Sequence, residues 1–168
     1  MVTSRIEKLT CIQVWKRYNK ASKKSEALRY KWKMAIDELH RLEWDIEAAK
    51  CALREIYMDY PNNTSNITIP SNIRQQNIVY FRNKISSYRD RRIIIHYTIT
   101  MYKRAYNEAT IRANRYYMAY NRLKEIFLKI TPDKFPNMEC TVETTPSGRL
   151  NVSVQNGIKF NDETMIIY

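Results

Sequence analysis

Glycine is nearly absent from this sequence. Only two of the 168 residues are glycine, Gly148 and Gly157, so residues 1–147 contain none. Tight turns often need a residue with positive φ, a conformation that glycine adopts without a steric cost. A long stretch without glycine must therefore contain few tight turns, and long helices are the structure that best meets this condition.

Long apolar runs and paired cysteines are also missing. The longest aliphatic cluster is Ile93-Ile94-Ile95, whereas a helix needs roughly 20 apolar residues to cross a bilayer. The start of the chain, MVTSRIEKL, lacks the apolar core of a signal peptide, so we do not expect secretion by that route. The three cysteines, Cys11, Cys51 and Cys140, are scattered and form no C-x-x-C pair. We expect them to be reduced and buried, in a cytosolic setting.

Motifs for catalysis are missing as well. The sequence contains no glycine-rich phosphate loop and no G-x-S-x-G motif. His40 lies between Asp37 and Glu43 at three-residue spacing, which is the helical spacing of a carboxylate-histidine metal pair. A di-metal helical site needs a second such set, and His96 has no partnering carboxylate. We therefore expect a protein that is not an enzyme and has no cofactor or metal, with His40 on the surface.

Two long heptad patterns are the main positive signal. Apolar residues recur every three or four positions from Cys11 to Ile56, interrupted by one polar residue, Ser25. Ser4 and Glu7 form the S-x-x-E pattern of a capping box. These features predict a first helix over about residues 4–59.

A second heptad pattern follows a polar, proline-containing stretch. Residues 60–71 have the composition of a loop. The pattern that follows has one charged member, Arg92, and predicts a helix over 72–131. Because sequential helices of similar length tend to pack on each other, the sequence predicts a domain over 1–131 that forms a long antiparallel two-helix coiled-coil hairpin.

The remaining residues, 132–168, have a two-residue periodicity. Cys140, Val142 and Thr144 alternate with polar residues, and Asn156-Gly157 is typical of a two-residue β-turn. A small meander is not stable by itself, so it must rest on the hairpin or on another subunit. The predicted fold class is mainly α, with a small C-terminal β-meander.

Positive charge is concentrated in parts of the chain. The net charge is +12, and residues 1–33 carry ten basic and two acidic side chains, whereas 34–72 carry three basic and seven acidic ones. In an antiparallel hairpin the acidic segment lies beside the basic residues 74–92, and a positive surplus remains near the chain termini. Such a positive surplus could bind the phosphates of a nucleic acid, but an ordinary solvent-exposed helix face often has the same composition. The predicted basic patch consists of Lys16, Arg17, Lys20, Lys23, Lys24, Arg112, Arg115 and Arg122.

Several large apolar side chains fall outside the a and d positions. A two-helix coiled coil needs only those positions, and Tyr, Trp and Arg are enriched where protein surfaces meet. One interpretation is that these residues dock a second subunit, and the other is that the β-rich tail covers them. The predicted partner interface consists of Trp15, Tyr30, Trp44, Tyr97, Met101 and Tyr117.

A long helical pair, divided by Pro132 from a tail that turns at Asn156-Gly157, resembles structural proteins of tailed-phage virions, such as ring, connector or internal proteins. The resemblance lies in the order of elements and transfers no site residues. It implies a structural protein in virion assembly that binds itself or other structural proteins, in the host cytoplasm or the virion. The alternative is a basic coiled coil that binds nucleic acid at its basic end. We expect no membrane partner.

Overall fold

The computed structural model describes residues 3–58, 71–135, 137–154 and 157–161. It confirms the predicted fold class, because two long helices pack against each other and are accompanied by a small antiparallel sheet. The loop predicted over 60–71 lies outside the described residues, except that Ser71 begins the second helix. The elements are β1 Arg5–Thr10, α1 Cys11–Met58, α2 Ser71–Ile130, β2 Glu139–Thr144, β3 Leu150–Val154 and β4 Lys159–Asn161.

The chain divides into two compact units. The first, here called the sheet unit, combines residues 1–29 with 104–168 and contains the start of α1, the end of α2 and all four strands. The second, the helical unit, is residues 30–103 and contains only helix in its described part. The predicted boundary at 131/132 separates α2 from β2, β3 and β4, but β1 lies before it. It also does not coincide with the boundary between the units.

The predicted start of the first helix at residue 4 is wrong. Residues 5–10 form strand β1, and α1 begins at Cys11. The capping box is built from Thr10 and Gln13 rather than from Ser4 and Glu7. The Thr10 backbone N–H donates to Gln13 Oε1 at 2.9 Å, and the Gln13 N–H donates to Thr10 Oγ1 at 3.3 Å. Thr10 and Gln13 therefore satisfy two N–H groups that would otherwise lack partners at this helix start.

The four strands form an antiparallel sheet in the order β1-β2-β3-β4. The register places Leu9 opposite Cys140 and Cys140 opposite Val154. Opposed residues on neighbouring strands, and alternate residues along each strand, point to the same face of a sheet. Leu9, Cys140 and Val154 therefore belong to one apolar face. That face forms a buried cluster with helix residues, including Leu9, Val14, Leu123, Phe127, Cys140, Val142, Leu150, Val152, Val154 and Phe160.

The heptad positions form the contact between the helices in each unit. In the sheet unit, the one polar member of the first pattern, Ser25, is buried and shares a 2.7 Å hydrogen bond with Thr110 Oγ1. In the helical unit, Leu39, Leu42 and Ile46 of α1 form a buried cluster with Ile95 of α2. The apolar pattern therefore identified the helix contact correctly in both units.

The chain reverses between β3 and β4 where predicted, but three residues rather than the expected two separate Val154 from Ile158, whose carbonyl accepts from the Val154 N–H. Val152 lies opposite Phe160, and Gly157 has a φ of +79°, in the region that favours glycine. Gly148 also has a positive φ, +81°, and it lies in the turn between β2 and β3. Both glycines of the chain are thus used in hairpin turns, whereas Gln155 and Asn156 lie outside the described residues.

Candidate interaction surfaces

The helical unit has an exposed apolar surface on α2. Ile93, Ile94, Tyr97 and Met101 lie at the b, c, f and c heptad positions, away from α1, and we call them the α2 outer face. Their exposed fractions are 68%, 65%, 67% and 53%. Scattered exposed apolar residues are normal, but four within three helical turns form a continuous patch.

A second exposed surface lies on α1 of the same unit. Tyr30, Met34 and Trp44 occupy f, c and f positions, and we call them the α1 outer face. Trp44 is 79% exposed and Tyr30 is 66% exposed. A shallow pocket beside Trp44 is lined by His40, Glu43 and Glu47. Tyr30, Trp44, Tyr97 and Met101 of the predicted partner interface are therefore all exposed, as an interface requires.

The predicted partner interface omitted three members of these faces, Met34, Ile93 and Ile94. Met34 is 43% exposed and Ile93 is 68% exposed. The signal for Ile93 was present, because three consecutive isoleucines cannot all face one partner helix. Of that run, Ile95 is buried in the contact with α1, and the other two residues point outward.

The two outer faces differ in the charged residues around them. From residue 73 to 103, α2 has seven basic residues and one acidic residue. From residue 34 to 58, α1 has three basic and six acidic residues. Glu43 and Asp45 flank Trp44 and are exposed, while Arg89 lies one turn before Ile93 and is exposed. The α2 outer face thus lies in a basic segment, whereas the α1 outer face is acidic around Trp44 and basic around Tyr30, which Arg29, Lys31 and Lys33 surround.

The two predicted interface residues of the sheet unit are partly used within the unit. Trp15 is half-buried, with its ring 4.8 Å from that of Tyr120 and 5.0 Å from that of Tyr18. Tyr117 is 44% exposed and packs on Tyr18 at 5.2 Å. The sheet covers other α2 positions nearby, including Ala119 and Ile126. Trp15 and Tyr117 therefore have a structural role within the unit, and they form a weaker candidate interface than the outer faces.

Three members of the predicted basic patch have a partner in the structure. Arg17 binds Glu7, Arg122 lies 3.1 Å from Glu125, and Arg115 donates to the Ser147 carbonyl at 3.5 Å. The other five side chains are exposed, and within the described ranges none of them forms an ion pair. These five are Lys16, Lys20, Lys23, Lys24 and Arg112.

The Glu7–Arg17 pair was not predicted from the sequence. Glu7 lies on the same side of β1 as Leu9, facing the helices, and its Oε1 accepts a 2.9 Å hydrogen bond from Arg17 Nη2. A second bond joins Oε2 to Nη1, so the contact is bidentate. The hydrogen bond from Arg17 lowers the pKa of Glu7, against a smaller opposing effect of burial. This pair ties the edge strand of the sheet to α1.

The cysteines lie in two different environments. Cys11 and Cys140 are buried in the cluster that the sheet forms with the helices, as predicted. Burial raises the pKa of the Cys11 thiol to about 12 and that of Cys140 to about 11. The expectation is wrong for Cys51, which is exposed because it occupies an outward f position, one heptad after Trp44.

The described residues offer no membrane span and no metal site. Neither helix, over the residues described, has an apolar stretch long enough to cross a membrane. Within the same residues, no group of three His, Cys, Asp or Glu side chains is placed to hold a metal ion. Comparisons with family models, with curated proteins and with solved structures found no match. The surfaces of the chain itself are therefore the basis for a functional proposal.

Proposed function

We propose that this protein is a non-enzymatic assembly protein that joins neighbouring subunits through the outer faces of its helices. The observation that carries the proposal is the α2 outer face, where Ile93, Ile94, Tyr97 and Met101 are each more than half exposed. Continuous apolar patches of this kind mark protein–protein contact sites. A subunit of a virion, such as a ring, connector or internal protein, is the kind of component that the order of elements suggests.

Physical chemistry favours a protein partner for this surface. Aromatic side chains dominate the binding energy of interfaces, and each large apolar side chain contributes about 1.5–3 kcal/mol when it is removed from water. The outer faces combine such residues with charged side chains around them, which matches an apolar interface centre with a polar rim. The heptad positions beneath already hold the hairpin together, so the outer faces are not needed to fold the helical unit.

Light scattering on the full chain tests the proposal. We expect an oligomer with a mass above the 20.2 kDa of one chain. Replacing Tyr97→Glu should reduce this mass, since a carboxylate buried in an apolar interface is strongly unfavourable. Asn83→Glu is the matched control, because Asn83 occupies the same f position two heptads earlier and is exposed. A wild-type chain that remains a 20.2 kDa monomer at every concentration would contradict the proposal.

Nucleic-acid binding is a second candidate function. The observation that favours it is the exposed group of Lys16, Lys20, Lys23, Lys24 and Arg112 in the sheet unit. Within the α1 part of this unit, six basic residues stand against one acidic residue, Glu26. Lysines and arginines on one helix can follow a phosphate backbone, and binding of that kind weakens steeply with salt.

A salt titration with labelled duplex DNA separates this candidate from assembly. If the candidate holds, Lys20→Glu with Lys23→Glu will weaken binding and reduce its salt dependence, by a slope of about 0.9 for each phosphate that the variant no longer neutralises. Arg89→Glu makes the same type of charge change in the helical unit and serves as the control. No retention of DNA at low salt would remove the candidate.

A further inference from the structure

We infer that the sheet unit binds the phosphate backbone of a nucleic-acid duplex, on the side of its helices where the sheet lies. The inference rests on the second candidate function, nucleic-acid binding, and deepens it by naming the form of nucleic acid and the face that holds it. All of the residues that carry it belong to the sheet unit, residues 1–29 with 104–168.

The g positions of both helices identify this side. Arg17, at a g position of α1, binds Glu7 of strand β1. Ala119, at a g position of α2, is buried in the cluster that the strands form with the helices. Residues one heptad apart lie on nearly the same side of a helix, so Lys24 and Arg112, at the neighbouring g positions, face the same way. We call this face of the helices the sheet side.

Lys24 and Arg112 also lie at the same level of the unit. The hydroxyl of Ser25, next to Lys24, shares a 2.7 Å hydrogen bond with the hydroxyl of Thr110, two residues before Arg112. Both cations are exposed. Two distant parts of the chain therefore each contribute a cation to one place on the sheet side.

The sheet side is strongly basic. The c positions are next to the g positions on a helix, and over the helical parts of the unit these two sets hold seven basic residues and one acidic residue. The acidic residue, Glu108, forms a 3.2 Å ion pair with Arg104. The basic residues are Arg17, Lys20, Lys24, Arg112, Arg115, Arg122 and Lys129. A local excess of positive charge of this size attracts a polyanion.

The uncharged residues of the sheet side favour a phosphate backbone over a protein or a membrane. At the same c and g positions they are Gln13, Ala27, Ala105, Ala119 and Ile126, of which the last two are buried against the sheet. A protein interface is centred on large apolar or aromatic residues, and a helix that lies in a membrane surface inserts an apolar face. These helical positions expose no such residue, whereas phosphates require only cations and hydrogen-bond donors.

The position of the aromatic rings favours a duplex over a single strand. Within the helical parts of the unit, the two aromatic residues outside the a and d positions are Trp15 and Tyr117, both at e positions. Both rings contact Tyr18, at 5.0 and 5.2 Å. The e and g positions lie on opposite sides of the helix contact, so these rings cannot stack on bases held beside Lys24 and Arg112. Single strands are bound by cations together with stacking rings, whereas a duplex has its bases already stacked and its phosphates outside.

Two double variants of the full chain with the same charge change test the face. Lys24→Gln with Arg112→Gln removes two cations from the sheet side. Lys16→Gln with Lys23→Gln removes two exposed cations from f positions of α1, which point away from α2. Binding of a labelled DNA duplex is measured against salt concentration, and circular dichroism checks that both variants remain helical. The sheet-side variant should reduce the slope of log K against log salt by about 1.8, since each lost phosphate contact removes about 0.9. The f-position variant should keep the wild-type slope.

Competition against the labelled duplex tests the form of nucleic acid. Unlabelled duplex should displace the label at a lower concentration of charge than a single strand of the same length, and at a lower one than poly-glutamate. The inference is overturned if the single strand or poly-glutamate competes as well as the duplex. It is also overturned if the sheet-side variant keeps the wild-type slope, or if the f-position variant loses as much of it. In these cases the chain still binds nucleic acid, so the candidate function stands and only the inference fails. If the wild type retains no DNA at low salt, both fail.

Discussion

The Glu7–Arg17 ion pair shows how a single residue joins strand β1 to helix α1. The Glu7 side chain is 19% exposed and that of Arg17 is 31% exposed, so both are partly shielded from water. Arg5 also contacts Glu7, at 2.7 Å. Two cations therefore act on one carboxylate, which explains why the pKa of Glu7 is lowered although burial opposes this.

This shift predicts a pH-dependent contribution to stability. Because the pKa of Glu7 is lower in the folded state than in the unfolded chain, its stabilising effect is present above the ordinary glutamate pKa and is lost as pH falls. At neutral pH, Glu7→Gln should lower the free energy of unfolding by about 1–2 kcal/mol. Between about pH 5 and pH 3, the free energy of unfolding should fall more steeply in wild type than in the variant, as denaturation at each pH would measure.

Glu108→Gln is the matched control for that measurement. Glu108 pairs with Arg104, but their side chains are 68% and 82% exposed. An ion pair this exposed contributes little, so the control should follow the wild-type pH dependence. Parallel curves for wild type and Glu7→Gln across the acid range would contradict the role given to Glu7.

The cysteines give a second prediction at the residue scale. In the folded chain, a thiol reagent near neutral pH should modify Cys51 rapidly and leave Cys11 and Cys140 unreacted. Burial excludes the reagent and raises the pKa of both buried thiols, so almost no thiolate is present. Cys51→Ser should abolish the rapid reaction. Equally fast modification of all three thiols in the folded protein would show that the sheet does not cover Cys11 and Cys140.

At the scale of elements, the start of α1 depends on Thr10 rather than Ser4. Thr10→Ala removes the side-chain oxygen that accepts from the Gln13 N–H. We expect the free energy of unfolding to fall by about 1 kcal/mol. Ser4→Ala is the control, because Ser4 is exposed and precedes β1, and it should change little. Urea denaturation measures both, and a larger effect of Ser4→Ala would contradict this assignment.

The same region explains what the sequence could and could not predict about the elements. Heptad spacing predicted both helices because a helix buries one stripe whatever its surroundings. The S-x-x-E pattern at Ser4 competed with a T-x-x-Q pattern at Thr10, and both satisfy the local rule for a helix start. Pairing of β1 with β2 decided between them, since it gives residues 5–10 backbone partners that are distant in sequence.

At the scale of the whole molecule, the candidate interaction surfaces could be predicted only in part from the sequence, because the partners of charged side chains depend on the fold. The sequence predicted that Tyr30, Trp44, Tyr97 and Met101 would lie outside the helix contact, and they do. It could not predict that Arg17 and Arg115 would have partners, because Glu7 lies in β1 and Ser147 in the turn after β2. The pairing of Arg122 with Glu125, three residues later on the same helix, could have been predicted from the spacing. Five side chains of the basic patch are exposed and form no ion pair within the described ranges. The outer faces of the helical unit are exposed as well.

The most direct test of the account is an intermolecular cross-link from the α2 outer face. The full chain carrying Tyr97→p-benzoylphenylalanine would be prepared in light and ¹⁵N-labelled forms, mixed, assembled and irradiated. We predict cross-links that join light to heavy chains, because the α2 outer face contacts a second copy in the proposed assembly. Cross-links that all stay within one copy would contradict assembly through the α2 outer face.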